Sequence, residues 1–148
     1  MTQSPSQTEL TELSRHHQDK NFKDLSIKTE LLIKKYPNVP NLYNILGIAQ
    51  FENKSFIQSI ESFAKAIELE PRHIDAYNNQ AKTYKKIKDY ESSINILKKA
   101  IEINPNYYLT YSNLADLLSE IGEVEKSLFY YKKSLNLKKE VIKNINNY

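Results

Sequence analysis

A chain of 148 residues with 40% apolar residues is long enough to bury the core of about one domain. It contains no cysteine, which excludes disulfides, thiol nucleophiles and zinc–thiolate sites, and its two glycines leave no phosphate-binding loop of the G-x-G-x-x-G or G-x-x-x-x-G-K type. The net charge of +3 is too mild to indicate a nucleic-acid-binding protein, whereas the pI of about 8.9 is borderline, so the placement of the charges has to decide.

We expect no secretory signal in the N-terminal residues. MTQSPSQTELTELS lacks the basic region and the apolar run of a secretory signal. No stretch of the chain approaches the roughly 18 to 20 apolar residues that a membrane span needs. We therefore predict a cytoplasmic protein that does not contact a membrane, with residues 1–5 as a flexible N-terminal tail.

A 34-residue period organises the rest of the chain. Pro37, Pro71 and Pro105 lie 34 residues apart, and KAIELEP returns 34 residues later as KAIEINP. A fixed period of this length indicates stacked structural units. Six further columns keep the same register: Tyr43, Tyr77 and Tyr111; Gly47, Ala81 and Ala115; Phe56, Tyr90 and Val124; Ser59, Ser93 and Ser127; Phe63, Leu97 and Tyr131; and Ala66, Ala100 and Ser134.

Each unit is predicted to contain two helices. In the second unit, apolar residues recur at three- and four-residue spacing from Leu42 to Ala49 and again from Phe56 to Ile67, with a polar break at 53–54. Proline closes the unit because its ring cannot continue a helix. We expect the second helices to be capped by Ser55, Asp89 and Glu123.

The column of small residues has a steric interpretation. Gly47, Ala81 and Ala115 fall in the middle of the first helix of their units. We predict that the second helix of the same unit approaches closely there, because a large side chain would push the pair apart.

These columns resemble the tetratricopeptide repeat, most closely in IDAYNNQAKTYKKIKDYESSINILKKAIEINP. The resemblance implies an all-α fold, an α-solenoid in which antiparallel helix pairs form a right-handed superhelix of 34-residue repeats. A degenerate first repeat occupies 6–39, and three further repeats occupy 40–73, 74–107 and 108–141. The chain departs from the family pattern in using tyrosine for the usual tryptophan, serine for alanine at position twenty, and Lys139 for a fourth proline.

The last helix lacks a stop signal because no proline follows the fourth repeat. We predict that it extends toward residue 145, with 142–148 as a C-terminal tail, and that Val141, Ile142 and Ile145 continue an apolar stripe along it. Three interpretations stay open: a homo-oligomeric contact between copies of this chain, a natural chain that continues beyond Tyr148, and a polar tail that frays.

The resemblance places the first helix of each repeat on a concave groove. There, asparagine side chains offer both a donor and an acceptor to the backbone of an extended peptide. Lys82, Lys85 and Lys86 share one face and could attract an acidic ligand. The alternatives are that asparagine is simply abundant in this chain and that the lysines form a solvated face. The predicted groove residues are Asn44, Asn78, Asn79, Lys82, Lys86, Asn113 and Asp116.

The family's chaperone-binding members grip a carboxylate with Lys, Asn, Asn, Lys and Arg, and this clamp is missing here. The matching positions hold Leu10, Ser14, Ile45, Asp75 and Asn79 in one frame, and Asn44, Ile48, Asn79, Leu109 and Asn113 in the next.

The chemistry of the sequence favours a binding protein over an enzyme. His16 and His17 are adjacent and point about 100° apart on a helix, so they cannot comfortably share a metal, and we predict no metal and no cofactor. We predict a scaffold or adaptor that binds a protein or an acidic or polar peptide, and not nucleic acid. The alternative is an N-terminal appendage of a glycosyltransferase, sulfotransferase or oxygenase, as the family resemblance allows.

Overall fold

The computed structural model describes residues 4–146, and in this range the chain forms eight α-helices and no strand. Consecutive helices pair as α1/α2, α3/α4, α5/α6 and α7/α8, and the second helix of each pair packs on the first helix of the next. The predicted all-α solenoid is confirmed. The helices are α1 (Gln7–Gln18), α2 (Phe22–Lys35), α3 (Pro40–Glu52), α4 (Phe56–Leu69), α5 (Ile74–Lys86), α6 (Tyr90–Ile103), α7 (Tyr108–Glu120) and α8 (Val124–Asn146).

The turn inside each pair is built the same way four times. Lys20, Lys54, Lys88 and Gly122, again 34 residues apart, have φ angles of 55°, 64°, 64° and 83°. The next residue donates its N–H to a carbonyl five residues earlier, as from Asp89 to Tyr84 at 3.0 Å. This is the Schellman arrangement, which satisfies the last carbonyls of the first helix.

The predicted caps are only partly present. Asp89 accepts a hydrogen bond from the backbone N–H of Ser92 at 3.1 Å, as expected. Ser55 makes no side-chain bond at the start of α4. Glu123 pairs with the Nζ of Lys126 at 3.0 Å. The feature common to the four turns is therefore the Schellman arrangement at the end of each first helix, and not a side-chain cap at the start of each second helix.

The close approach predicted at the small column is present in the second unit. A Cβ built on Gly47 would lie 2.6 Å from the ring of Phe63, which is 1% exposed. The serine column binds the small column directly: each serine Oγ donates to a carbonyl on the first helix of its own pair at 2.8 Å. These bonds join Ser59 to Gly47, Ser93 to Ala81 and Ser127 to Ala115.

The tyrosine and proline columns are also joined. The hydroxyls of Tyr43, Tyr77 and Tyr111 donate to the carbonyls of Pro37, Pro71 and Pro105 at 2.9, 3.2 and 2.8 Å. Each first helix is thereby tied to the turn that precedes it. The recurring residues are thus scaffold, and they position the faces that vary.

The last helix is longer than its equivalents. α8 has 23 residues where α4 and α6 have 14. The described part of the predicted tail, residues 142–146, continues this helix, and residues 147–148, like residues 1–3, lie outside the described range. No described helix has the length and apolar character needed to cross a membrane.

Candidate functional site

A groove of about 330 Å³ opens where the first helices α3, α5 and α7 lie side by side. It contains five of the seven side chains predicted from the sequence. Its lining is Asn44, Ile48, Asp75, Asn78, Asn79, Lys82, Tyr107, Leu109 and Asn113. Of the other two predicted residues, Lys86 is exposed near the end of α5 and Asp116 borders a smaller neighbouring cleft.

Asparagine side chains connect the three helices across the groove. Asn79 on α5 donates its Nδ2 to the Oδ1 of Asn44 on α3 at 3.0 Å. Asn113 on α7 donates in the same way to Asn78 on α5 at 2.8 Å. In each case position six of one repeat meets position five of the repeat before it. The amides form a ladder among themselves, which sequence spacing alone did not predict.

The ladder divides the asparagines into two kinds. Asn78 is buried, and its Nδ2 also donates to the Thr110 hydroxyl at 2.9 Å and to the Ile74 carbonyl at 3.0 Å. Asn44 is equally buried and accepts from Asn79. Asn79 and Asn113 are half-buried and each use one amide hydrogen in the ladder. Their second hydrogen and their oxygen face no partner among residues 4–146.

The groove is less basic than the lysine cluster suggested. Lys82 is exposed, and its Nζ lies 4.7 Å from the ring centroid of Phe51, a cation–π distance. Lys85 pairs with Glu120 at 3.5 Å. Asp75 contributes a negative charge to the same lining. The local field is therefore a single positive charge at Lys82 beside an acidic group, with Lys86 further along α5.

Tyr107 is a groove residue that the sequence did not indicate. It occupies the residue before α7, outside the periodic helical columns, and donates its hydroxyl to Asp75 at 2.8 Å. Burial and, to a smaller extent, the hydrogen bond to Asp75 together raise the pKa of Tyr107 to about 12. The phenol therefore stays protonated near neutral pH and fixes the Asp75 carboxylate at the groove wall.

Asp116 is held by the last helix. The hydroxyl of Tyr131 on α8 donates to its carboxylate, and this bond is the main cause of a raised Tyr131 pKa. Asp116 shares a cleft of about 40 Å³ with Lys82, Lys85 and Asn113. It lies beside the groove and contributes to the charge around Lys82.

Two of the three histidines, His17 and His73, have local contacts, and the Nε2 of His16 is buried without a hydrogen-bond partner among residues 4–146. The Nδ1 of His73 accepts from the backbone N–H of Ala76 at 3.3 Å and caps α5. The ring of His17 packs edge-on against Phe22, with centroids 5.9 Å apart. Within residues 4–146 no group of three or more histidine, aspartate or glutamate side chains is arranged to hold a metal ion.

Comparison with known sequences identifies the family. One sequence model described as "Tetratricopeptide repeat" matches residues 40–73 and 74–107, and a second with the same description matches 96–129. The chain belongs to the tetratricopeptide-repeat family. The matched segments cover α3 to α7, the helices that form the groove, and they reach into α8.

Two solved structures share the tetratricopeptide-repeat architecture. "Crystal structure of MamA" aligns with a TM-score of 0.81 at 21% identity, covering 92% of this chain and 80% of that chain. "MamA MSR-1 C2" aligns with a TM-score of 0.71 at 16% identity, covering 85% of this chain and 72% of that chain. At these identities the similarity concerns the fold.

One curated sequence relative is the uncharacterized protein ycf37 of Pyropia yezoensis. It is 33% identical over 70 residues, which are 47% of this chain and 36% of that protein. The tetratricopeptide-repeat chain thus matches only about a third of this relative's length. Repeats of this family in general bind protein partners, which supports a protein-interaction scaffold in that general sense. The alternative of an appendage to a glycosyltransferase, sulfotransferase or oxygenase has no support among these relatives.

Proposed function

We propose that the protein is a non-enzymatic cytoplasmic adaptor that holds an extended peptide of a partner protein in the groove between α3, α5 and α7. The observation that carries the proposal is the convergence of Asn44, Asn78, Asn79, Lys82 and Asn113 on one groove. These residues come from three repeats, and they line a continuous surface across which a peptide can lie.

The two kinds of asparagine have different roles in this proposal. Asn79 and Asn113 present a free amide hydrogen and an oxygen, so each can pair with the backbone N–H and carbonyl of an extended peptide. Asn44 and Asn78 hold them in place through the ladder. Because main-chain pairing is independent of sequence, these two amides supply affinity without selecting side chains.

Selectivity comes from the residues around the amides. Lys82, with Lys86 further along the helix, attracts one acidic side chain of the peptide. Ile48 and Leu109 offer apolar contact. Asp75, fixed by Tyr107, repels a second acidic group nearby. We therefore propose a polar peptide with one acidic residue, and not a strongly acidic segment.

An array of 12-residue peptides, each with zero, one or four acidic residues, tests the proposal, followed by fluorescence polarisation on the best binder. We expect peptides with one acidic residue to bind best. In Asn79→Ala/Asn113→Ala, four hydrogen bonds to the peptide backbone are lost at about 0.5–1.5 kcal/mol each, so the Kd should rise at least about 30-fold. Lys82→Ala should remove the preference for the acidic residue.

The control variant is Asn136→Ala/Lys99→Ala, which removes an exposed asparagine from α8 and an exposed lysine from α6. It should bind like the parent chain. Equal loss of binding in the groove variant and the control, or unchanged binding in the groove variant, contradicts the proposal. Circular dichroism establishes that each variant is folded, because Asn79→Ala leaves the buried Asn44 without its donor.

A further inference from the structure

One face of α8 is apolar and exposed. Spacings of four, three, four and seven residues keep its members on one side of the helix, with Lys138 between the last two. Leu128 and Leu135 are each 52% exposed, and Val124 is 68% exposed. We call this surface the α8 stripe, and its residues are Val124, Leu128, Tyr131, Leu135 and Ile142.

The third repeat shows what covers the equivalent face of its second helix, α6. The residues 34 positions earlier, Tyr90, Ile94, Leu97 and Ile101, lie on α6 and pack into a cluster with Leu114, Leu117 and Leu118 of α7. Leu97 is 1% exposed there. The same face of α6 is thus sealed by a helix with apolar residues. Among residues 4–146 no helix covers the α8 stripe.

We infer that the α8 stripe is a contact between two copies of this chain, with the two α8 helices antiparallel across a two-fold axis. In such a contact the same surface serves both copies. The stripe extends from Val124 to Ile142, which is about 27 Å of helix at 1.5 Å per residue. In the register that superposes its two ends, Val124 of one copy faces Ile142 of the other.

The charges on α8 favour the antiparallel direction. Glu123 and Glu125, with one lysine at 126, give the start of α8 a net charge of −1. Lys138, Lys139 and Lys143, with one glutamate at 140, give its end a net charge of +2. An antiparallel pair places the acidic start of one helix beside the basic end of the other, twice. A parallel pair would place lysines beside lysines.

In head-to-tail stacking of copies, α1 of one copy would cover α8 of another. The polar and charged residues of α1 disfavour this arrangement. Gln80 of α5 faces α4 and donates to the carbonyl of Ile60 at 3.1 Å. Its equivalent in α1 is Glu12, which pairs with Lys28. The cleft on this side of α1 is lined by Gln7, Thr8, Thr11, Glu12 and Arg15. Docking such a polar face on the α8 stripe would desolvate charges against leucine.

One helix from each copy makes a small interface, below the roughly 800 Å² per partner of tight complexes, so we expect a micromolar dimer. Sedimentation equilibrium of the 148-residue chain from about 1 to 200 µM measures it. The parent should pass from monomer to dimer in this range. Leu128→Glu/Leu135→Glu should raise the dissociation constant at least tenfold, because it buries four carboxylates in the contact.

Ile57→Glu is the matched control. Ile57 is 61% exposed on α4, and its equivalents in α6 and α8 are Glu91 and Glu125, so the fold accepts glutamate there. This variant should dimerise like the parent, as should Asn79→Ala/Asn113→Ala, which keeps the outcome separate from that of the groove experiment. A parent that stays monomeric at 200 µM overturns the inference. So does a parent that forms chains longer than dimers, or a Leu128→Glu/Leu135→Glu variant that dimerises normally.

The absence of cysteine permits a test of direction. Single variants Val124→Cys and Ile142→Cys are mixed and oxidised, and the products are separated by mass. We expect mostly disulfides between residue 124 of one copy and 142 of the other. Predominant 124–124 and 142–142 links indicate a parallel pair and overturn the antiparallel assignment. A monomer that instead binds a synthetic acidic amphipathic helix through the stripe assigns this face to a different protein.

Discussion

Three lysines occupy a backbone conformation that normally belongs to glycine. Lys20, Lys54 and Lys88 have positive φ at the turn where the fourth repeat has Gly122. The left-handed conformation costs an L-residue roughly 1–2 kcal/mol. The Schellman hydrogen bonds of the turn offset this cost, because they satisfy carbonyls that the helix end would leave open. Each strained residue can therefore be replaced by itself, in one repeat at a time.

Lys88→Gly should therefore stabilise the protein. The relief of strain exceeds the roughly 0.5–1 kcal/mol that glycine loses through its greater freedom in the unfolded chain, so the net gain is about 0.5–1 kcal/mol. Thermal unfolding followed by circular dichroism should show a Tm about 1–4 °C higher. Lys99→Gly, at an exposed position inside α6, is the control and should cost about 1 kcal/mol. Equal losses in the two variants would refute the strain argument.

At the scale of elements, the second and third helix pairs each match the size of a side chain on the first helix to the size of one on the second. Gly47 faces Phe63 in the second repeat, whereas Ala81 and Leu97 occupy the same columns in the third. The larger ring is accommodated by the smaller partner. The sequence predicted the close approach from the small column. The couple itself emerged from the structure, because the ring position depends on how the two helices pack.

Gly47→Ala should destabilise the protein by about 1–2 kcal/mol. A Cβ 2.6 Å from the Phe63 ring puts overpacking in the upper part of its range, about 2–3 kcal/mol, and helix propensity returns about 1. Phe63→Leu alone should also destabilise it, because it leaves a cavity. The double variant reproduces the couple of the third repeat. Chemical denaturation of the parent, the two single variants and the double variant gives the coupling free energy between positions 47 and 63. We expect the double variant to be at least 1 kcal/mol more stable than the sum of the two single effects predicts. Additive losses would show that the ring and the glycine do not interact.

At the scale of the whole molecule, the repeats differ in how they are held. In a solenoid each unit contacts only its neighbours, so an end unit can detach while the others remain folded. The first pair depends on Glu9, whose carboxylate accepts from the backbone N–H of Ser6 at 2.7 Å, from Lys35 at 3.0 Å and from the Tyr36 hydroxyl at 3.2 Å. These bonds, of which the one from the Ser6 backbone contributes most, lower the pKa of Glu9 from 4.5 to about 2.

Acid should therefore detach α1 before the middle of the solenoid. A carboxylate with a lowered pKa contributes stability that is present above its ordinary value of 4.5 and is lost as the pH falls toward 2. Amide exchange measured by NMR from pH 6 to about 2.5 should show α1 losing protection while α5 keeps it. Glu9→Gln should lose part of this protection already at neutral pH, and Glu61→Gln, on an exposed part of α4, should not. Simultaneous loss in α1 and α5 would contradict the prediction.

The sequence by itself determined the repeat, the helix pairs and the closing prolines, because these follow from local periodicity and from what proline and small residues permit in a helix. Of the seven groove residues predicted from it, five lie in one groove, because equivalent positions of stacked repeats must align. Only the tertiary structure decided which amides are free. Asn44 and Asn78 accept hydrogen bonds from asparagines 35 residues away, and Tyr107 lies in the groove although it precedes the first residue of α7. Hydrogen bonds and charges are settled by distances in space, which spacing along the chain does not contain.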